Sequence, residues 1–576
     1  MSKHNTVEKD IVGPTAPKDP VARRSGFYIM LESVIEATAR NEGKPTQDIY
    51  LEDRLADKAK FTGGVTDEAI LSKLSNCADF HNVVHSIGVS VKSHRDVTDT
   101  VDFVIQNWGR TNKYESGTLL RVPCAADGSE TIITLSEQDW SADDDVPGKY
   151  AFEFKDAGEL ATATVKLYLN DGYEVPELTL EPPVAYESEA YRSMIARSLL
   201  SKGNNKRLKA AIAKAQRGEE VTIAYIGGSI TQGAGAKPIH TESYAYKSYV
   251  MFKEMFGKDG GSNVHLVKAG VGGTPSELGM IRYDRDVLKD GAVKPDIVFV
   301  EFAVNDEGDE TKGVCYESLC LRIAESDNNP AVVLMFAVFV NDWNLQDRLS
   351  PVGRYYGFPM VSVKDAVVEQ FQLTKAEGNI ISKRQYFYDI YHPTNDGHTV
   401  MADCIGYLFS ETAQSVEDQE DITLNKAPLI GNAFTGVKLL DRSRTAPAVI
   451  DAGGFQETDS DLHMVEMDED PHGSPQFPYN WMHTAESGDS VFTLTITSRS
   501  LLLVFKDSGD VQFGKADIHV DGRLVLTADP HVINWTHATA VILYQEDVSR
   551  EHRIEIKMSA DDADKKFTIL GFGYTE

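Results

Sequence analysis

Cysteine and positive charge are both scarce in this chain. Five cysteines occur among 576 residues. Cys77, Cys124, Cys315, Cys320 and Cys404 are scattered, and no two form a CxxC pair. A disulfide framework needs an even, patterned set, and a zinc site needs its own ligand spacing; neither is present. The expectation is a reduced compartment, buried free thiols, no metal and no cofactor. Lys+Arg number 57 against Asp+Glu 88, a formal net charge of -31. So acidic a surface repels phosphate backbones and anionic lipid, which argues against nucleic acid and the membrane as partners. Long apolar runs are missing too: no stretch approaches the ~20 residues of a spanning helix. The opening MSKHNTVEKDIVGPTAPKDP is polar, and the first apolar stretch, residues 27–31, is followed at once by Glu32 and then Glu36. That is too short and too charged for a leader. The chain reads as cytoplasmic, unless the sequence begins after a removed leader.

What is present is an ordinary globular composition, 41% hydrophobic and 25% charged, long enough for several domains. Residues 1–80 read as a flexible tail, to about Pro20, followed by a helical segment. Over residues 25–40, Phe27, Met30, Leu31, Val34 and Ile35 recur at helical spacing. Residues 81–185 hold short β-rich runs such as TVDFVIQNWG and ATVKLYLN, separated by Gly, Asp, Asn and Ser. They predict an antiparallel, jelly-roll-like β-sandwich. Trp108, Tyr114 and Trp140 in this region are expected as core anchors more than as a sugar platform. Residues 200–415 alternate β-rich and helical stretches, with AVVLMFAVFV apolar throughout. This alternation predicts an α/β domain with a doubly wound parallel sheet and helices on both faces. An acidic connector, ETAQSVEDQEDITLN, leads to residues 429–576, which are β-rich again and read as a second β-sandwich.

The central domain opens with VTIAYIGGSITQGAGA, residues 221–236. An apolar strand ends in Gly227-Gly228, and Ser229 follows. Such a turn delivers a hydroxyl at a strand tip, although glycine-rich turns also cradle phosphate. Three later stretches also stand at strand ends: AGVGGTPS with Gly270, Gly272 and Gly273, EFAVND with Asn305, and DIYHP with Asp389 and His392. A serine hydroxyl needs an adjacent base, and His392 has a carboxylate three residues before it. In order and residue type these four blocks resemble the SGNH (GDSL-type) hydrolase superfamily over roughly residues 221–409, the middle third of the chain. The blocks depart from that pattern at Gly228, where the namesake motif has Asp, at Lys268, where many members have Asn, and in EFAVND, which lacks a glycine before the Asn. With these departures, GGSIT and AGVGGT look more like members from bacterial carbohydrate-active loci, including multidomain carbohydrate esterases.

The resemblance implies a flavodoxin-like central fold and a serine esterase acting through an acyl-enzyme. It implies Ser229 as nucleophile, His392 as base and Asp389 as its orienting partner. The oxyanion would be held by the backbone N–H groups of Ser229 and Gly273 and the Asn305 amide. The flanking β domains suggest a carbohydrate substrate, most simply an O-acetylated oligosaccharide. In the C-terminal region, Trp481, His483, Trp535 and His537 are candidates for stacking on sugar rings, with a core role the competing expectation. His398 reads as helix-packed, and Asp306 and Glu307 as loop caps. Two other classes stay open. One is a glycan phosphoester or phosphoglycerol hydrolase using the same serine, with Lys268, Arg282 and Arg285 as anion partners; the two arginines otherwise read as a solvated helix face. The other is a non-catalytic glycan-binding protein. A homo-oligomer is compatible with all of these readings.

Overall fold

A computed structural model describes residues 24–39, 43–52, 54–95, 100–178, 180–467, 473–488 and 490–576. The tail expected to about Pro20 lies outside the described residues. At the centre is a six-stranded sheet. Its order is Val264–Gly270, Val221–Gly227, Ile297–Glu301, Ala331–Phe336, Met360–Ser362 and Leu199–Ser201. The first five are parallel and the last is an antiparallel edge. Numbered along the chain, the parallel strands run second, first, third, fourth, fifth. This is a doubly wound order whose direction reverses between the first and third strands, where ligand crevices form in such sheets.

Strand periodicity explains why these runs are apolar throughout. Ile223, Tyr225, Phe299, Val333 and Met335 pack with the helices Lys206–Arg217, Tyr244–Phe256 and Asn395–Gln414. Their neighbours Ala224, Ile226, Val298, Val300 and Leu334 pack with Ser276–Asp286, Val314–Ala324 and Gln346–Tyr356. Successive side chains point to opposite faces, and both faces are covered.

N-terminal to this domain stand two four-stranded antiparallel sheets sharing one apolar cluster. One has the order Gly26–Glu36, Leu160–Leu169, Val84–Ser93, Asp127–Thr134 and the other Thr46–Tyr50, Asp144–Glu153, Thr100–Gly109, Leu119–Ala125. The helix expected over residues 25–40 is therefore a strand, Gly26–Glu36, paired with Leu160–Leu169. The register shifts between Tyr28 and Met30 and again between Met30 and Ser33. Each irregularity breaks the two-residue alternation, so the buried set is Phe27, Ile29, Met30 and Ile35 and no strict period of two shows in the sequence. Helices do occur in this region, at Leu55–Phe61, Glu68–Leu71 and Cys77–Val83.

The C-terminal strands pair as one eight-stranded antiparallel sheet, with one further two-stranded pair, Met464–Val465 with Ser474–Pro475. Its longest members are Phe492–Asp507 and His537–Met558. Leu501, Leu503 and Phe505 face the sheet's own core, whereas Leu502 and Val504 join the cluster that includes Leu278 and Ile281 of the central domain. The run LLLVF is continuous because the second face of the sheet is the central domain itself. All five cysteines are free and buried. Among the described residues no helix is long and apolar enough to cross a membrane.

Candidate active site

Ser229 begins a four-residue helix, Ser229–Gln232, directly after the first parallel strand and Gly228. The two glycines before it are required by close approach. A Cβ on Gly227 would lie 2.2 Å from Thr231 Oγ1, and one on Gly228 would lie 2.1 Å from Asn305 Oδ1. The Asn305 amide thus occupies the space that a side chain at residue 228 would need, which accounts for glycine there.

The three residues expected to act together are hydrogen-bonded in series. Ser229 Oγ lies 2.8 Å from His392 Nε2, and His392 Nδ1 lies 2.8 Å from Asp389 Oδ2. Asp389 Oδ1 accepts the backbone N–H groups of Tyr391 and His392, each at 2.8 Å. The Tyr388 N–H donates to the His392 carbonyl at 2.8 Å and closes the loop. An ionised carboxylate only accepts, so it keeps the proton on Nδ1 and leaves Nε2 to accept from the serine. Burial alone would raise the Asp389 pKa. The His392 ring, its hydrogen bond, the Lys58 charge and the Tyr391 N–H outweigh burial and hold the carboxyl below the usual carboxylate range.

The second and third strands bring the other expected groups to the same end of the sheet. Gly273, three residues past the end of the second strand, has a φ of +73° that favours glycine. A Cβ on its neighbour Gly272 would lie 3.6 Å from Ser229 Cβ. The Gly272 N–H donates to Gln232 Oε1 at 3.1 Å. Asn305 follows the third strand, and its Oδ1 is buried with no hydrogen-bond partner among the described residues. Ser229, Gly273 and Asn305 therefore stand around the point where the winding reverses. Asp306 caps the helix Ser276–Asp286, accepting from Ser276 N at 2.8 Å and Ser276 Oγ at 2.9 Å. Beneath the serine turn Glu301 accepts from Thr231 Oγ1 at 3.2 Å, and burial pushes its carboxyl up to about 7.

The flanking domains complete the surroundings. From the C-terminal domain, Trp535 Cζ2 and His537 Nε2 lie 3.0 Å and 2.9 Å from the position of a Cβ on Gly273. His463 Cε1 lies 3.7 Å from the same position on Gly272. The three rings form one cluster, with centroids 5.3 Å apart for His463–Trp535 and 4.7 Å for Trp535–His537. Burial lowers the His463 pKa to about 3 and the His537 pKa to about 4, so both rings are neutral at physiological pH. Trp535 is 39% exposed. Trp481, proposed beside it from the sequence, is instead a core residue: it is 3% exposed and packs on Phe492 and Phe572. His483 is buried and bonded to the Lys565 and Gly488 carbonyls. From the N-terminal domain, Lys58 is buried with its Nζ 5.1 Å from the Tyr388 ring centroid, and Arg54 stands 5.1 Å over Tyr391. Sequence reading missed His463, on a C-terminal loop, and Lys58 and Arg54, in and capping the one short helix Leu55–Phe61 of the N-terminal domain; none has a motif around it.

The expected anion partners are engaged elsewhere. Lys268 donates to the Gln232 carbonyl at 2.8 Å. Arg282, expected on a solvated face, is fully buried and donates to the Ala269 and Gly227 carbonyls at 2.7 Å and 2.9 Å. It ties together the ends of the first two strands. Arg285 pairs with Asp286 and donates to Gln476 Oε1 at 2.9 Å. His398 is buried between Tyr244 N and the Ala234 carbonyl, and burial lowers its pKa to about 3. Among the described residues, Glu277, Asp309 and Cys315 form the one group with potential metal ligands within 4.8 Å of one another. Burial and the Asp309 charge push Glu277 up to about 9, and burial pushes the Cys315 thiol well up. A protonated acid beside a thiol is a poor donor set for a hard cation.

Residues 225–400 match the GDSL-like Lipase/Acylhydrolase family. The central domain is a GDSL-type serine ester hydrolase. Among solved structures the chain is similar to a two-domain esterase active on acetylated mannans, at 25% identity and a TM-score of 0.56, covering 66% of this chain and 99% of that one. The same esterase co-crystallised with mannopentaose matches at 25% identity and a TM-score of 0.54, with the same coverage of both chains. No curated protein matches the chain.

Proposed function

We propose that this GDSL-type hydrolase removes small acyl groups, most simply acetyl, from hydroxyls of a carbohydrate through an acyl-enzyme. The observation that carries the reading is the series Asp389–His392–Ser229, with both side-chain bonds at 2.8 Å. Ser229 Oγ attacks the ester carbonyl as its proton passes to His392 Nε2. The oxyanion that forms accepts from the Ser229 and Gly273 N–H groups and the Asn305 amide. When the bond between the acyl carbon and the sugar oxygen breaks, His392 gives its proton to that oxygen, which departs as a hydroxyl. A water, deprotonated by the same nitrogen, then attacks the acyl-serine and releases the carboxylic acid. Asp389 keeps the imidazole in the required tautomer throughout.

The likeness to an esterase active on acetylated mannans supports a carbohydrate ester as substrate, and acetylated mannan oligosaccharides are the first to try. Trp535, half-exposed beside Gly273, offers an apolar face for a sugar ring there. The cations expected to serve a phosphoester substrate, Lys268, Arg282 and Arg285, are bonded within the fold, which favours the acyl ester. The test is mass spectrometry of acetylated oligosaccharides incubated with wild type and Ser229→Ala. Loss of one acetyl mass with wild type alone is the expected result; unchanged substrates, or equal loss with the variant, overturn it.

A further inference from the structure

Beyond Trp535 lies a second cleft that the chemistry above does not use. It opens between the N-terminal domain and the C-terminal sheet, with a volume of about 460 Å³, and its walls include Arg110, Lys113, Val511, Phe513, His531 and Asn534. That volume is ordinary for a small-ligand site.

The cleft is joined to the active site through one residue. Asn534 lines it, and the next residue, Trp535, lies against Gly273. Asn534 has a φ of +67°, a left-handed conformation that needs support in a non-glycine residue. Both domains supply that support. Asp507 Oδ1 accepts the Asn534 N–H at 2.6 Å, and the Asn534 carbonyl accepts Lys113 Nζ at 3.3 Å. Lys113 is itself held by Glu52 at 3.1 Å, and Glu52 accepts Trp108 Nε1 at 2.6 Å. Gly509 leaves room for a second contact from the N-terminal domain: a Cβ there would lie 2.2 Å from Tyr114 Oη, which donates to the Asn534 carbonyl at 3.5 Å. The N-terminal domain thus builds one wall of the cleft and also holds the loop that carries Trp535.

Charge decides what the cleft would accept. Arg110 faces Asp145 at 3.6 Å, Lys113 faces Glu52, and Lys515 faces Asp529 at 3.0 Å. Lys565 donates to the Val511 carbonyl at 3.0 Å, and Asp562 stands in the same wall. Three of the four cations face carboxylates, the fourth is bonded to a carbonyl and Asp562 adds an acid to the wall, so the cleft has little surplus charge to select an anion. What it presents is the exposed apolar side chain of Val511, with Phe513 buried in the wall behind, among polar groups, a mixture that suits a neutral sugar.

Building on the carbohydrate reading above, we propose that this cleft is a distal subsite for a neutral glycan chain. The ester-bearing unit lies at Ser229, the chain passes Trp535, and a further unit occupies the cleft. The N-terminal domain is in this way part of substrate recognition.

The test uses the full-length protein with Val511→Trp, which fills the cleft from an exposed position, and Arg110→Ala, which removes an exposed donor. kcat/KM is measured on p-nitrophenyl acetate and on acetylated mannan oligosaccharides from disaccharide to hexasaccharide. Binding of the unacetylated hexasaccharide is measured in the Ser229→Ala background, where no turnover occurs. Wild type should improve with chain length. Val511→Trp should lose about tenfold on the longest chains, equivalent to ~1.4 kcal/mol, and bind the hexasaccharide correspondingly less well, while p-nitrophenyl acetate turnover stays near wild type. Equal losses on every substrate, or unweakened binding in Val511→Trp, overturn the subsite and leave the esterase reading standing. A preference for uronate-bearing chains overturns the charge argument. If no oligosaccharide is either deacetylated or bound while p-nitrophenyl acetate is hydrolysed, the carbohydrate reading falls and the subsite with it.

Discussion

Replacing Gly228 by alanine should disable the site without unfolding it. A Cβ at this residue would lie 2.1 Å from Asn305 Oδ1, 2.5 Å from Cγ and 2.8 Å from Nδ2, whereas ordinary contact begins at 3.4 Å. The closest atom must retreat by 3.4 less 2.1, or 1.3 Å. An oxyanion donor acts only within hydrogen-bond reach of the developing charge, and losing one costs ~10²–10³ in kcat. A displacement of ~1 Å alone costs about 10²-fold. Gly228→Ala should therefore lower kcat on p-nitrophenyl acetate by roughly 10²–10³, the same range as Asn305→Ala. The double variant separates this mechanism from general damage. Once Asn305 is alanine the added methyl has no amide to displace, so the double variant should be no worse than Asn305→Ala. Melting temperatures of all three should stay close to wild type. A Gly228→Ala enzyme within a few-fold of wild type, or losses that multiply in the double variant, would refute the assignment of Asn305 and the reason given for Gly228.

The two C-terminal tryptophans should part company. Trp481→Ala removes a buried ring and should destabilise the protein by about 3–5 kcal/mol in urea unfolding, whereas Trp535→Ala should leave stability nearly unchanged and raise KM for oligosaccharides; loss of stability in both would contradict their placement. Glu301 gives a pH test. Its folded-state pKa of about 7 stands above the ordinary 4.5, so the stability it provides is complete below pH 4.5 and is lost as pH rises through 7. Glu301→Gln keeps the uncharged shape at every pH. It should match wild type near pH 5 and exceed it by roughly 3 kcal/mol near pH 8, at ~1.4 kcal/mol per pH unit; an offset independent of pH would be the contrary result.

The central sheet and its chemistry were legible because both are written locally. Val221–Gly227 and Ile297–Glu301 are short apolar runs closed by turn residues, and Asp389 and His392 meet within a single loop. The errors arose where distant parts decide. Gly26–Glu36 carries two register irregularities that break its alternation, and only its pairing with Leu160–Leu169 identifies a strand. Arg282 looks solvated by composition, yet carbonyls from two strands draw it fully inside. Trp481 and Trp535 both sit in short polar contexts, but one faces the sheet's core and the other faces Gly273. His463 reaches the site from a loop with no motif, across a domain boundary. Local periodicity says nothing about such contacts, because they depend on how the second face of the C-terminal sheet meets the central domain.

The most direct test of the account is covalent labelling with a serine-directed fluorophosphonate, read by intact mass and peptide mapping. The account predicts one adduct per chain, on the peptide that contains Ser229, formed far more slowly in His392→Ala. No adduct, or an adduct on any other residue, would contradict it.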